Sequence, residues 1–154
     1  MRGAGFAQTC VCIRHDADLQ ASLKGGGNLG FIALRETAAG PQLLLEDPGA
    51  SPLEDLLRGD LATTLREAIA IVEALQRVHA DRVTHGHPHP GAIMINDSRD
   101  RAWLTGFDLG TRLEATFTET RDPDVLYGRL PWLSPEQTGR MNRPVDYRSD
   151  YYAL

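Results

Sequence analysis

Trp132-Leu133-Ser134-Pro135-Glu136-Gln137-Thr138-Gly139-Arg140-Met141-Asn142-Arg143, followed by Asp146-Tyr147-Arg148-Ser149-Asp150-Tyr151-Tyr152-Ala153-Leu154, is the stretch on which the fold turns. Its first part is punctuated by Pro and Gly and reads as irregular chain, while Tyr147 onward has the pattern of the first turns of a helix. Residues 106–135, just upstream, show no period. Further upstream, Ala92-Ile93-Met94-Ile95 and Ala102-Trp103-Leu104-Thr105 read as two short strands around the polar turn Asp97-Ser98-Arg99-Asp100. Before them comes the longest periodic element, with Leu65, Ile69, Val72, Leu75 and Val78 at three- and four-residue spacing along one helix face. Thr64 and Glu67 fit a capping box at its start. Asp47-Pro48-Gly49-Ala50-Ser51-Pro52 is a loop. Phe31-Ile32-Ala33-Leu34-Arg35-Glu36, Thr37-Ala38-Ala39-Gly40 and Gln42-Leu43-Leu44-Leu45-Glu46 form a strand, a turn and a strand. Asp16 to Lys24 allows two helical turns at most before Gly25-Gly26-Gly27, and Thr9 to Arg14 reads as a short strand.

The 154 residues, 42% of them hydrophobic, suffice for one globular domain with its own core. A net charge of −5, with the 16 basic residues scattered, argues against nucleic acid or an anionic membrane surface as partner. There is no run of roughly 18 apolar residues to span a bilayer. The N-terminus lacks the apolar stretch of a signal peptide, so a cytoplasmic location is expected. Cys10 and Cys12 at C-x-C spacing cannot complete a zinc site alone, and a disulfide between them would be strained. Within Cys10-Val11-Cys12-Ile13 they read as small hydrophobes.

The runs 132–143 and 146–154 resemble the end of the activation segment and the start of the following helix in protein kinases. The nearest resemblance is to the Ser/Thr-kinase-like domain of large multidomain signalling proteins of bacteria and fungi, where it precedes an ATPase module, a GAF domain and often a histidine kinase. The preceding parts follow the same order. Leu43-Leu44-Leu45-Glu46-Asp47 resembles the fifth strand and hinge, and residues 52–57 the short helix after it. The long helix precedes His85-Gly86-His87-Pro88-His89-Pro90-Gly91-Ala92, which resembles the catalytic loop. The resemblance spans about residues 31–154, and weakly 9–14. It implies an α+β, truncated protein-kinase-like fold: a partial N-lobe sheet over residues 1–46, then a hinge and partial helical C-lobe over 47–154. The chain stops at the start of the central C-lobe helix, so Leu65, Ile69, Val72 and Leu75 are expected to lack much of their packing surface.

The resemblance implies ATP and magnesium as cofactors, yet the groups that would handle them are replaced. Phosphoryl transfer is mainly positioning and charge neutralisation, so each part has a checkable physical role. In the kinase pattern His-Arg-Asp-x-Lys-x-x-Asn, His87 stands for the Asp, His89 for the Lys and Ala92 for the Asn. An imidazole can act as a base near neutral pH but keeps no fixed negative charge, and alanine ligates nothing. Two registers are open for Asp-Phe-Gly. Without gaps, Gly106-Phe107-Asp108 lies over it and the metal carboxylate becomes Gly106; a two-residue insertion would make Asp108-Leu109-Gly110 the motif, with Asp108 as metal ligand. No Gly-rich loop precedes Thr9. Arg14 would sit at the phosphate-holding lysine of a third strand, and the segment for a regulatory helix is too short. Leu45 falls at the gatekeeper. At the hinge, Glu46 offers a carbonyl, but Pro48 has no N–H for adenine. Weak or absent ATP binding is therefore expected. Glu136 matches the glutamate closing the activation segment, which pairs with a later arginine, and Asp150 the aspartate holding the catalytic-loop backbone.

Two functional classes follow. One is a pseudokinase-type module acting on neighbouring signalling domains or protein partners; the other is a serine/threonine kinase of weak activity. A gene fragment without independent function is the remaining alternative. Alternating His85, His87 and His89 would share one face of an extended strand, as metal ligands can, although Pro88 and Pro90 favour a loop. Thr116, Thr118 and Thr120 are candidate phosphorylation positions in the activation segment. Trp103 and Trp132 read as packing residues.

Overall fold

The computed structural model describes residues 2–56, 59–113, 130–141 and 143–154, with side chains in the first helix described from Thr9 on. Leu57, Asn142, Thr116, Thr118 and Thr120 lie outside the described residues. The fold is α+β. In chain order it comprises α1 (Arg2–Ser22), β1 (Phe31–Thr37), β2 (Gly40–Leu45), β3 (Ser51–Pro52), α2 (Leu61–Ala80), β4 (Val83–Thr84), β5 (Ile93–Ile95), β6 (Ala102–Leu104), β7 (Thr111–Arg112) and α3 (Arg148–Tyr151). Short 3-10 turns occupy Leu53–Asp55, Pro90–Ala92 and Leu130–Trp132.

The first element corrects the sequence reading. Thr9 to Arg14 is not a strand, and helix is not confined to two turns after Asp16: a single 21-residue helix runs to Ser22. A four-residue apolar run does not distinguish strand from helix, and here tertiary packing decides. Ala17, Leu19 and Gln20 are buried, α1 lies against both β1 and β2, and Val11 remains exposed. The helix ends where Lys24 N and Gly25 N donate to Asp81 Oδ2 at 2.6 and 2.8 Å. Gly27 then crosses α2 so closely that a Cβ there would run into the Ala74 carbonyl.

The hairpin β1–β2 has the expected antiparallel pairing, from Phe31↔Leu45 to Thr37↔Gly40. The Thr37 hydroxyl, which donates to Gly40 O and accepts from Ala39 N, closes its turn. The strands around residues 96–101 also form, with Ile93↔Leu104, Met94↔Trp103 and Ile95↔Ala102 paired and β3 added beside β5. Asn96 organises their turn, donating to Ser98 and Asp100 and accepting from Asp100 N and Arg101 N. Backbone bonds Leu104 N to Gly27 O and Leu29 N to Leu104 O tie the segment after α1 to β6.

Helix α2 begins earlier than the sequence suggested. Asp60, not Thr64, is its N-cap, with Oδ1 accepting from Thr63 N at 2.8 Å. A carboxylate there meets both the free amides and the positive end of the helix dipole. Glu67 is no capping-box partner; it is buried and pairs with Arg99 at 2.7 Å. The buried arc is also rotated from the expected stripe. Ala70, Ile71, Ala74, Leu75 and Val78 enter the core, while Leu65, Ile69 and Val72 are 54%, 60% and 42% exposed. Two apolar stripes compete on this helix, and small alanines allow the closer approach to β6. Around them, Leu19, Val83, Ile93, Ile95, Ala102, Leu104 and Phe107 complete one core.

Candidate functional site: the 85–92 loop and its supports

The loop between β4 and β5 hangs from one carboxylate. Asp150, fully buried on α3, accepts from His85 N at 2.9 Å, Gly86 N at 2.7 Å and His79 Nε2–H at 2.8 Å. Only glycine fits at position 86: φ is +79°, and a Cβ would collide with the Leu109 carbonyl. From the other side Gln137 Nε2 donates to Gly86 O, while Gln137 Oε1 accepts from Ser134 N and Oγ at 3.0 Å. Glu136 accepts from Ser149 Oγ at 2.6 Å, a bond that holds its carboxyl below the usual range. The 134–139 turn, α3 and the loop thus brace one another.

His85 is set as a neutral imidazole. Its Nε2–H donates to Thr105 O at 2.9 Å, and its Nδ1 accepts from His87 N at 3.3 Å. Its ring lies 4.5 Å from that of buried Phe107. Complete burial pushes its pKa down, because no water solvates the charged form. His87 is 5% exposed, with its ring 4.6 Å from that of His89, whose Nδ1 accepts from Gly91 N and starts the 3-10 turn. Residues 85–89 form no strand, in keeping with Pro88 and Pro90, so strand alternation does not align the three rings; His85 packs on Phe107 while His87 packs beside His89. Among the described residues, no three His, Cys, Asp or Glu side chains gather as metal ligands would.

Ala92 is buried, and its carbonyl accepts from Thr105 N at 3.0 Å. This bond continues the β5–β6 ladder without a break, so Gly106 follows immediately and Asp108 comes two residues later. Gly106 has φ +75°. Helix α1 reaches this segment through Asp16 Oδ1, which accepts from Phe107 N at 2.9 Å, and His15 Nε2–H, which donates to Gly110 O at 2.8 Å. Asp18 pairs with Arg112 at 3.0 Å. Burial pushes the Asp16 carboxyl up, the nearby Asp108 carboxylate adds to the effect, and the Phe107 amide opposes it. Sequence reasoning missed Asp16 and Gln137. Their partners are backbone groups 91 and 51 residues away, which no local pattern announces.

Arg14 does not sit on a strand beside a phosphate site. It lies on α1 and pairs with Glu36 at 3.0 Å, both largely exposed. The segment before Phe31, expected to be too short for a regulatory helix, holds the 21-residue α1. Glu46 and Pro48 line a cavity of about 360 Å³ behind the loop after β2, apart from His87, His89, Ala92, Gly106 and Asp108.

No family model matches the chain. Among curated proteins, it is 35% identical over 103 residues to the DNA damage-responsive serine/threonine-protein kinase RqkA of Deinococcus radiodurans. That match covers 67% of this chain and 15% of RqkA. It is also 27% identical over 103 residues to the peroxide stress-activated histidine kinase mak3 of Schizosaccharomyces pombe, covering 63% of this chain and 4% of mak3. The chain thus spans only a small part of either relative. Its relationship is kinase-like. No helix among the described residues is long and apolar enough to cross a membrane.

Proposed function

We propose that this chain is a protein-kinase-like module that transfers no phosphate and acts through contacts with protein partners or neighbouring signalling domains. The observation that carries the reading is the unbroken ladder from Ile93↔Leu104 to the Thr105–Ala92 bond. If this region follows the kinase pattern, the two metal-ligand positions must lie close together. The ladder favours the gap-free register, in which those positions are Ala92 and Gly106, and neither side chain can bind a cation.

The loop around them supports the same reading. His87, at the general-base position of the resemblance, is nearly buried rather than presented to a substrate hydroxyl. Asp150 and Gln137 hold the loop backbone, and Glu136 braces the helix that carries Asp150, as a scaffold would. Scaffold without metal ligands fits recognition better than phosphoryl transfer.

Thermal melts with ATP, each with and without magnesium, test the nucleotide half of this reading. The expected result is no magnesium-dependent rise in Tm. A saturable, magnesium-dependent rise would support the competing reading, a weakly active kinase, because binding to the native state must stabilise it.

A further inference from the structure

The cavity behind the loop after β2 carries chemistry that the 85–92 loop does not use. Its volume, about 360 Å³, falls at the lower end of the range for small-molecule sites, on the order of 300–1,000 Å³. Lys24, from the segment after α1, and Arg101, preceding β6, are among its lining residues, and both are exposed. Neither side chain has an ion-pair partner among the described residues, although the chain carries a net charge of −5. In an acidic protein, two cations without an ion-pair partner among the described residues at one concavity favour the approach of an anion.

The walls add a second requirement. Trp103 and Phe31 line the cavity, and the Arg101 guanidinium lies over the Trp103 ring, 4.9 Å from its centre. A guanidinium parked on an indole keeps its N–H edge free to bind an anion beside a flat apolar surface. Gln20, also in the lining, is 1% exposed, its Oε1 accepting from Asn28 Nδ2. Its Nε2, near the Asp16 carboxyl, makes no hydrogen bond of normal geometry among the described residues. Glu46 adds one carboxylate to the lining.

We infer that this cavity binds a small planar-ring compound bearing a phosphate or carboxylate group, the anion between Lys24 and Arg101 and the ring against Trp103. The site goes beyond the proposed function, since it uses none of the loop residues. Ring and anion are both required: either alone leaves half of the surface unmatched.

Phenyl phosphate and benzoate are the probes, with phenol and inorganic phosphate as the separated halves. The readout is the indole N–H resonance of Trp103 in the whole chain, told apart from that of Trp132 with Trp132→Phe. At least one ring anion should move it saturably, and Lys24→Gln with Arg101→Gln should weaken that binding by about tenfold or more. Both substituted residues are exposed, so the variant keeps its fold, checked by its Tm. Tighter phenyl phosphate binding assigns a phosphate ligand, and tighter benzoate binding a carboxylate. Glu46→Gln, which removes a like charge, should tighten either. No saturable movement, an unchanged affinity in the double variant, or equal binding of phenol would overturn the inference.

Discussion

At position 150 a carboxylate without solvent contact holds two loop amides and one imidazole. Asp150→Ala should cost on the order of 3–5 kcal/mol, because two buried N–H groups and His79 would lose their acceptor together. Urea unfolding of the variant would measure it, and a loss under about 1 kcal/mol would contradict the loop's dependence on this side chain. His85 gives a second residue-scale prediction, with its sign set by burial. Its folded pKa is lowered from the ordinary 6.5, so the unfolded chain takes up the proton first as pH falls. Its stabilising contribution is complete above about pH 6.5 and is lost progressively below it, down towards the folded pKa. In an NMR titration, the His85 ring should keep neutral shifts at the pH where an exposed imidazole is half protonated. Half protonation of His85 there would contradict its packing.

Helix α1 shows at the scale of elements what local pattern reveals and what it hides. The hairpin β1–β2 was legible because its strands bracket Thr37-Ala38-Ala39-Gly40, whose turn chemistry is local. The strands on either side of residues 96–101 were legible for the same reason. The long helix was legible in period but not in phase, because Leu65, Ile69 and Val72 form a stripe as apolar as the one that enters the core. Helix α1 was not legible, since what holds it are distant groups: the hairpin, Phe107 N and Gly110 O. Of the candidate site, Glu136 and Asp150 could be named from the resemblance, whereas Asp16 and Gln137 could not. Asp16 supplies the element-scale prediction. Asp16→Asn keeps an acceptor for Phe107 N and removes a carboxylate that burial disfavours, so stability at pH 7 should hold or rise. Asp16→Ala should cost about 1–3 kcal/mol by leaving that amide unmet. Because the folded pKa of Asp16 is raised, its penalty in the parent is full at neutral pH and relieved as pH falls through that value. The Asn variant should lack this gain in acid. Equal losses in both variants at pH 7 would contradict the assigned bond.

Across the whole molecule, one side of α2 forms the core and the other shows Leu61, Leu65, Ile69 and Val72 to solvent. A contiguous apolar stripe of this kind promotes association. Leu65→Gln with Ile69→Gln should change stability by less than about 1 kcal/mol, since neither side chain is buried, while reducing concentration-dependent self-association in sedimentation runs. A large stability loss would contradict the observed phase of α2. At the same scale, the bracing of the 85–92 loop and the residue types at Ala92 and Gly106 support the proposed reading, a kinase-like framework used for recognition. Its most direct test is transfer from labelled ATP, with magnesium, to the chain itself and to a generic serine/threonine substrate. The account predicts no incorporation above that of a heat-denatured control. Robust, magnesium-dependent labelling of Ser or Thr would contradict it.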